Sequence, residues 1–399
     1  MENFSYFNPV KLISGIGAFD HVAEEILPYG NRVLLVYGQK HIRETGVYDR
    51  IMEQFKKAGI TTCELPGVRP NPKVDLIRQG IEICKHEAID FILGIGGGSV
   101  CDSVKAIGMG AKVDYDIWEM FENYHHMMHG EKGEDRFVPK EMLPIGVVMT
   151  KAGTGSEFDY TSVVSNPETQ EKLMVINKVM YPKFSVHDPT LLATLPRPEL
   201  AFGTADIMTH ILEQYFTLSK DTENLDRYKE AGLKTVIDAG QRVMRDPEDL
   251  AAQSYLEHVA AWACSDFSMS GAAGGWAAHM IEHEITAITD LNHGNGMAIV
   301  FPTWMEYVLD VTPEKFAQYG ERVWGIERKG RGDREVGRDA IQQTVAFWTS
   351  LGIPLKLNQV HIGGDILPRM ASQAVRFGPL FSLKNLQDGD VLNILQMAQ

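Results

Sequence analysis

Three short apolar runs, each closed by a glycine-bearing turn, constrain the first half of this chain more than any other feature. They are Val33-Leu34-Leu35-Val36-Tyr37, Phe91-Ile92-Leu93-Gly94-Ile95 and Ile145-Gly146-Val147-Val148-Met149. Runs this short and this continuously apolar suit strands buried on both faces, which occur in parallel sheets covered by crossover helices. The texture changes after Leu195-Pro196. From there residues 198–217, 224–245, 251–268 and 272–287 carry helical periodicity, with further amphipathic stretches to the end. The expected architecture is an α/β dinucleotide-binding domain over residues 1–190 followed by an all-helical domain over residues 191–399, with the boundary near Asp188-Pro189. Residues 123–140 read as an exposed polar loop, in which His125, His126 and His129 are solvated rather than metal ligands.

The turn after the second run is Gly94-Ile95-Gly96-Gly97-Gly98-Ser99. It follows a strand pattern and opens a helical one over residues 100–109, so backbone N–H groups and the positive helix end face one point. Consecutive glycines let a pyrophosphate approach without a Cβ in the way. Gly96, Gly97, Gly98 and Ser99, with Asp102 and Lys105 flanking them, are therefore a candidate dinucleotide site, although Ser99 stands where G-x-G-x-x-G would need glycine. The alternative is a tight packing turn. After the third run, Thr150, Thr154 and Ser156 lie in Thr150-Lys151-Ala152-Gly153-Thr154-Gly155-Ser156-Glu157. Their hydroxyls would suit the second wall of a cofactor cleft or, equally, a polar capping turn.

Any phosphate must be held locally, because 53 acidic against 38 basic residues give a net charge of −15. That field argues against nucleic-acid and membrane-surface partners. No run approaches the roughly 18 unbroken apolar residues of a membrane helix, and Met1-Glu2-Asn3-Phe4-Ser5 lacks the basic and apolar regions of a signal peptide, so a cytoplasmic protein is expected. Cys63, Cys84, Cys101 and Cys264 show no CxxC spacing, which speaks against a thiolate cluster or disulfide framework.

Asp206 and His210 are four residues apart and share a helix face; His279 and His283 repeat that spacing, and His293 follows at a turn. One carboxylate with three imidazoles suits a borderline divalent ion, Fe(II) or Zn(II), and leaves room for a substrate oxygen. His279-Met280-Ile281-Glu282-His283 also matches the H-x-x-E-H pattern of inverted zinc proteases, with Glu282 as general base. Such a hydrolase has no use for a glycine-rich phosphate turn.

The chain resembles the iron-containing alcohol dehydrogenase family, and within it the butanol dehydrogenase-like branch. The resemblance runs through Phe7-Asn8-Pro9-Val10-Lys11, Ser14-Gly15-Ile16-Gly17-Ala18, Gly96-Gly97-Gly98-Ser99-Val100-Cys101-Asp102, Gly153-Thr154-Gly155-Ser156-Glu157 and Asp188-Pro189, and is most specific at residues 277–287 and Leu291-Asn292-His293-Gly294. It implies an α/β dinucleotide-binding domain plus an all-α domain, as in dehydroquinate synthases and glycerol dehydrogenases, with the active site in the cleft between them. It assigns the metal to Asp206, His210, His279 and His293, and places His283 beside the nicotinamide, where it is the nearest candidate for a proton relay. This removes the protease reading, in which both histidines of the motif must ligate.

The implied activity is metal-dependent, NAD(P)H-linked interconversion of aldehydes and primary alcohols, with a glycerol dehydrogenase-like polyol oxidoreductase as the alternative. A homodimer acting on a small aldehyde or alcohol is expected. Lys172 is a further cofactor-contact candidate, and Lys151 departs from the Thr of many relatives. Gln39-Lys40 replace a common small-residue pair after Gly38. The family's NAD-using members carry an Asp at the strand end that Gly38 occupies, so Gly38, Gln39 and Lys40 point to NADP(H) over NAD(H).

Overall fold

A computed structural model describes residues 2–128 and 130–399, so His129 lies outside the described residues. The three apolar runs form the middle of a six-stranded sheet. Its strands are β1 (Lys11–Ser14), β2 (Arg32–Tyr37), β3 (Thr61–Leu65), β4 (Phe91–Gly96), β5 (Ile145–Met149) and β8 (Phe184–His187), in the order β1-β8-β5-β4-β2-β3. All neighbours are parallel. Helices α1 (Val22–Ile26), α2 (His41–Glu44), α3 (Val47–Ala58), α4 (Val74–His86), α5 (Gly98–Gly110) and α6 (Ile117–Met128) belong to the same part of the chain. Burial on both sheet faces explains the continuous apolar runs: Val33 to Tyr37 are wholly inaccessible, as are Phe91, Leu93 and Ile95. Each such side chain contributes roughly 1.5–3 kcal/mol on burial.

Register fixes where chemistry can gather. Tyr37 lies opposite Ile95, and Gly96 opposite Met149. The residues after β2, β4 and β5, namely Gly38, Gly97 and Thr150, therefore emerge at one edge of the sheet, at the carboxyl ends of the strands, where open α/β sheets bind ligands.

Two features differ from the sequence expectation. Strands β6 (Thr161–Asn166) and β7 (Glu171–Ile176) form an antiparallel hairpin whose Thr, Ser and Lys content hid its alternation. Residues 123–128 are not loop, because α6 extends through them. His125 is buried there, its Nε2 accepting from the Met174 N–H at 3.2 Å, whereas His126 is exposed beside Glu131. Trp118, Phe121 and His125 give that helix a buried stripe that outweighs its polar end.

The chain divides into two compact units. One comprises residues 7–195 with 247–261, the other residues 2–6, 196–246 and 262–399. The division near 195 lies a few residues beyond the expected 190, and the return of residues 247–261 to the α/β unit has no counterpart in the sequence reading. The second unit is built from α7 (Arg197–Tyr215), α8 (Glu223–Arg245), the end of α9 (Leu250–Ala263), α10 (Ala277–Thr289), α11 (His293–Val308), α12 (Pro313–Arg322), α13 (Asp333–Ser350), α14 (Leu367–Ala374) and α15 (Asp388–Met397). Among the described residues no helix is long and apolar enough to cross a membrane.

A buried ammonium ties the α/β unit together. Lys105 on α5 is inaccessible, and its Nζ donates to Asp159 Oδ1 at 2.6 Å, Ser156 O at 2.6 Å, Ser156 Oγ at 3.0 Å and Thr161 O at 2.8 Å. The four bonds replace its hydration and pin the turn after β5 and the start of β6 to the helix that opens at the glycine turn. Lys105→Met should cost about 3–5 kcal/mol, because Asp159 is left buried without its cation. Urea unfolding followed by far-UV circular dichroism checks this; an unchanged midpoint would show that the bond network contributes little.

Candidate metal centre and cofactor turn

Helix α7 is buried all round from Thr204 to Tyr215, so each polar side chain it carries there must be satisfied by the protein or a ligand. Asp206, His210 and Glu213 fall at helical spacing on one stripe. A second helix, α10, brings His279, Glu282, His283 and Thr286 onto one stripe of its own. The tight link from α10 to α11 turns at Asp290, which is left-handed at φ 58°, and Asn292 caps α11 by accepting from the Gly294 N–H at 3.1 Å. That cap sets His293 as the first helical residue.

These elements converge. Ligand atoms of Asp206, His279 and His293 all lie within 4.8 Å of one another. His293 Nε2 is 3.6 Å and His210 Nδ1 3.8 Å from Asp206 Oδ1, and the His210 and His279 ring centroids are 4.7 Å apart. Those separations exceed hydrogen bonds. They approach the roughly 3.4 Å edge of a tetrahedron whose centre is about 2.1 Å from each ligand. Asp206 Oδ1 is buried and accepts no hydrogen bond among the described residues. A buried, unsatisfied carboxylate oxygen facing imidazole nitrogens fits a divalent ion. Trp276 stands edge-on to His210 and His279, with centroids at 5.9 and 5.0 Å, and gives the cluster an apolar wall.

The outer nitrogens of two rings meet carboxylates. His279 Nδ1 lies 2.5 Å from Glu213 Oε2, and Glu213 Oε1 accepts from the Ala278 N–H at 2.6 Å. Burial pushes the Glu213 carboxyl up to about 8, against the pull of the Ala278 and His279 N–H groups, and a divalent cation held by His279 would favour its ionised form. His293 Nδ1 meets Glu282 Oε2, and the Thr286 hydroxyl donates to Glu282 Oε1. Glu282 is thus inaccessible and engaged, a poor position for a base that must activate water, and the hydrolase reading loses its catalyst. Glu213 was not singled out from the sequence. Its place seven residues after Asp206, on the same stripe as His210, is the signal that would have found it.

In the α/β unit, the glycine turn opens α5 with Gly97 as its N-cap. The glycines have separate reasons. A Cβ at Gly96 would collide with Val100, and one at Gly98 with Thr154, so these two are required by packing. A Cβ at Gly97 would only touch Lys151, with its nearest atom at 3.5 Å, which leaves Gly97 as the position where an approaching phosphate has use for a bare backbone. Thr150 is buried and its N–H donates to Gly96 O at 2.9 Å, joining the two turns. Thr154 Oγ1 accepts from the Ser156 N–H at 3.2 Å, and Ser156 Oγ donates to Asp102 Oδ1 at 2.8 Å. Burial pushes the Asp102 carboxyl up to about 7 despite Lys105, with Lys172 on β7 also pulling it down. Lys172 is buried, Gly38 is half-buried, and Gln39 and Lys40 are exposed.

The family model for iron-containing alcohol dehydrogenase matches residues 9–189, and that for the C-terminal part of the Fe-containing alcohol dehydrogenase family matches residues 200–399. The chain belongs to the iron-containing alcohol dehydrogenase family. It is 41 % identical to the NADH-dependent butanol dehydrogenase A of Clostridium acetobutylicum, over 99 % of each chain. The NADPH-dependent aldehyde reductase YqhD of Escherichia coli is 32 % identical, over 95 % of this chain and 94 % of that one. A solved NADH-dependent butanol dehydrogenase A from Thermotoga maritima superposes with a TM-score of 0.93 at 33 % identity, covering 100 % of this chain and 99 % of that one. Membership makes this an alcohol dehydrogenase and aldehyde reductase that uses a divalent metal and a nicotinamide dinucleotide. The two-part fold, parallel sheet followed by helices, agrees with the sequence expectation.

His279→Ala should cut bound metal sharply and abolish turnover while the helical unit stays folded. His283 sits on the same stripe, its ring centroid 5.9 Å from that of His293. His283→Ala should keep its metal and lose turnover. Elemental analysis of both variants decides: full occupancy in His279→Ala, or metal loss in His283→Ala equal to it, would break the ligand assignment.

Proposed function

We propose that this enzyme reduces small aliphatic aldehydes of the butanal class to primary alcohols with NADPH as the preferred hydride donor, using Asp206, His210, His279 and His293 to hold one divalent ion. The single observation that carries the metal-dependent reading is the buried cluster of Asp206, His279 and His293 within ligand reach of one another. When bound, a divalent ion there supplies a Lewis acid that polarises a carbonyl oxygen. Fe(II) is favoured over Zn(II) by the family description, since the ligand set itself accepts either.

The side chains supply the rest. Trp276 keeps water from one side of the imidazoles, which strengthens electrostatics around a developing alkoxide. His283 stands beside the cluster, its ring centroid 5.9 Å from that of His293, where an imidazole can pass a proton to that alkoxide. In the α/β unit, Gly97, Ser99 and the first turn of α5 offer N–H groups to a pyrophosphate, and Thr150 and Thr154 line the adjoining turn. The small-aldehyde substrate draws support from the names of relatives such as the butanol dehydrogenase A of C. acetobutylicum. A homodimer is part of the same proposal, supported by β1 lying at the open edge of the sheet, where a second copy can pair or pack.

The cofactor preference rests on the end of β2. That strand pairs directly with β4, which leads into the glycine turn, so β2 holds the place of the strand that meets the adenosine ribose in dinucleotide folds. Gly38 follows it and brings no carboxylate to repel a 2′-phosphate. Exposed Lys40 adds a cation two residues on. The nearby Glu64 carboxylate is occupied by Tyr37 and Tyr48 hydroxyls and by Arg43, each at 2.7 Å. The names of the 41 % identical relative, an NADH-dependent butanol dehydrogenase, and of the 40 % identical one, a probable NADH-dependent butanol dehydrogenase, favour the opposite preference.

Steady-state kinetics with butanal and each cofactor separate the two. At least about tenfold higher kcat/KM with NADPH is expected, equivalent to roughly 1.4 kcal/mol. Gly38→Asp should shift the preference toward NADH without disturbing the fold, because a Cβ there would meet only Val68 O at 3.7 Å. Equal or better use of NADH by the unaltered enzyme would refute the NADPH assignment, and faster turnover of glycerol than of butanol would refute the substrate class.

A further inference from the structure

We propose that Glu213 and Glu282 are the positioning residues of the metal centre, each anchoring one carboxylate oxygen on its own side of the cluster and using the other to lock a ligand imidazole, His279 or His293, with Nδ1 protonated and Nε2 turned inward. The proposal rests on the metal-centre reading of the four-residue cluster. Its geometry is the same on both sides although the donors differ. Glu213 Oε2 meets His279 Nδ1 at 2.5 Å while Oε1 takes the Ala278 N–H at 2.6 Å. Glu282 Oε2 meets His293 Nδ1 while Oε1 takes the Thr286 hydroxyl. Both carboxylates are essentially inaccessible, at 1 % and 0 % exposure, so neither can trade these contacts for solvent.

Each anchor has a structural origin. Ala278 lies in the first turn of α10, where backbone N–H groups have no intrahelical acceptor, so Glu213 reaches from α7 to cap the helix that carries His279. Glu282 needs room beside α11, and Gly296 provides it: a Cβ at that position would lie 2.5 Å from Glu282 Oε1 and 2.8 Å from its Cγ. Gly296 falls one turn after His293 in the same helix, so the glycine that clears the space and the histidine that is locked move together. A carboxylate accepting from Nδ1–H fixes the tautomer, orients the ring and makes Nε2 a stronger donor to an ion. Together with Asp206, the two add negative charge around a divalent cation and hold it by orientation as well as attraction.

The two sides differ in one testable respect. A Gln at 213 that turns its oxygen to His279 must set its NH2 against the Ala278 N–H, a donor facing a donor that cannot reverse. At 282 the Thr286 hydroxyl can rotate and accept instead. The experiment loads the wild-type protein, Glu213→Gln, Glu282→Gln and Gly296→Ala with Co(II). It then measures release to a chelator, the visible d–d spectrum, and the ion-shifted NMR signals of the exchangeable imidazole N–H protons. Glu213→Gln should release cobalt about 10–100-fold faster, with an altered d–d band and a lost or rapidly exchanging N–H signal. Glu282→Gln should show a smaller acceleration. Gly296→Ala, which touches no ligand, should perturb one N–H signal only, and it tests the pair even if Glu213→Gln fails to fold. Wild-type release with an unchanged spectrum in Glu213→Gln, or release from Glu282→Gln as fast as from Glu213→Gln, would overturn the proposal. A wild-type protein that takes up no cobalt would instead overturn the metal-centre reading beneath it.

Discussion

A carboxylate on a helix that is buried on every side needs a compensating charge or proton, and the helical unit is arranged around that requirement at Asp206. Desolvating one carboxylate costs several kcal/mol even after the protein relaxes. Asp206 is 4 % exposed, and Glu213 and Glu282 are buried beside the same imidazoles. Without a cation, three acids and a set of histidines share one dry region where desolvation disfavours every charged form. With a divalent ion at the centre, each carboxylate is compensated either directly or through a ring, and binding free energy becomes folding free energy. The helical unit is therefore expected to be tightest where its charge density is highest.

Helix α7 shows how one element serves both ends of that arrangement. Asp206 and His210 point from its middle to the cluster, and one turn later Glu213 reaches the first turn of α10. A shift of α7 along its axis would thus displace Asp206 and His210 and uncap the helix bearing His279. Backbone ties resist such a shift: Gln214 Nε2 donates to His210 O at 3.0 Å and to Ala263 O at 3.1 Å, and the buried Lys229 ammonium donates to Gln214 O at 2.6 Å at the C-terminal end of the helix. Burial pushes the Lys229 amine down to about 7, while a helix carbonyl end favours its charged form.

Much of this was legible in the sequence, for reasons that are themselves physical. Strands buried on both faces must be continuously apolar, so β2, β4 and β5 stood out, whereas β1, β3 and β8 are short and partly polar and the β6–β7 hairpin is rich in Thr, Ser and Lys. Four-residue spacing exposed Asp206 with His210 and His279 with His283, because side chains at that interval share one face of a helix. The stripe through Asp206 and His210 places Glu213 beside the cluster, but its partner is an imidazole sixty-six residues away, so its role shows only in the fold. Glu282 was visible only through a protease motif, and its burial against His293 gives it a different role. The end of α6 was misread for the opposite reason: its polar composition matched a loop, and burial of His125 under β7 is a tertiary fact.

The glycine turn shows why motif reading and packing have to be separated residue by residue. Gly96 and Gly98 are needed because Val100 and Thr154 occupy the space a Cβ would fill, so their presence says nothing by itself about phosphate. Gly97 is the position where a bare backbone has no such packing excuse. A chain of net charge −15 repels an incoming dinucleotide at long range, but that repulsion is largely screened beyond about 8 Å at physiological ionic strength. At the proposed cofactor site, the local field then comes from the N-terminus of α5 and from Lys40 beyond the end of β2, since Arg43 is paired with Glu64, which two tyrosine hydroxyls also engage. If the end of β2 meets the adenosine ribose, as proposed, a negative charge at position 38 would oppose a 2′-phosphate and its absence would admit one. The proposed metal ligands lie in the helical unit and position 38 in the α/β unit, so a change of charge at 38 alters no ligand of the proposed metal centre.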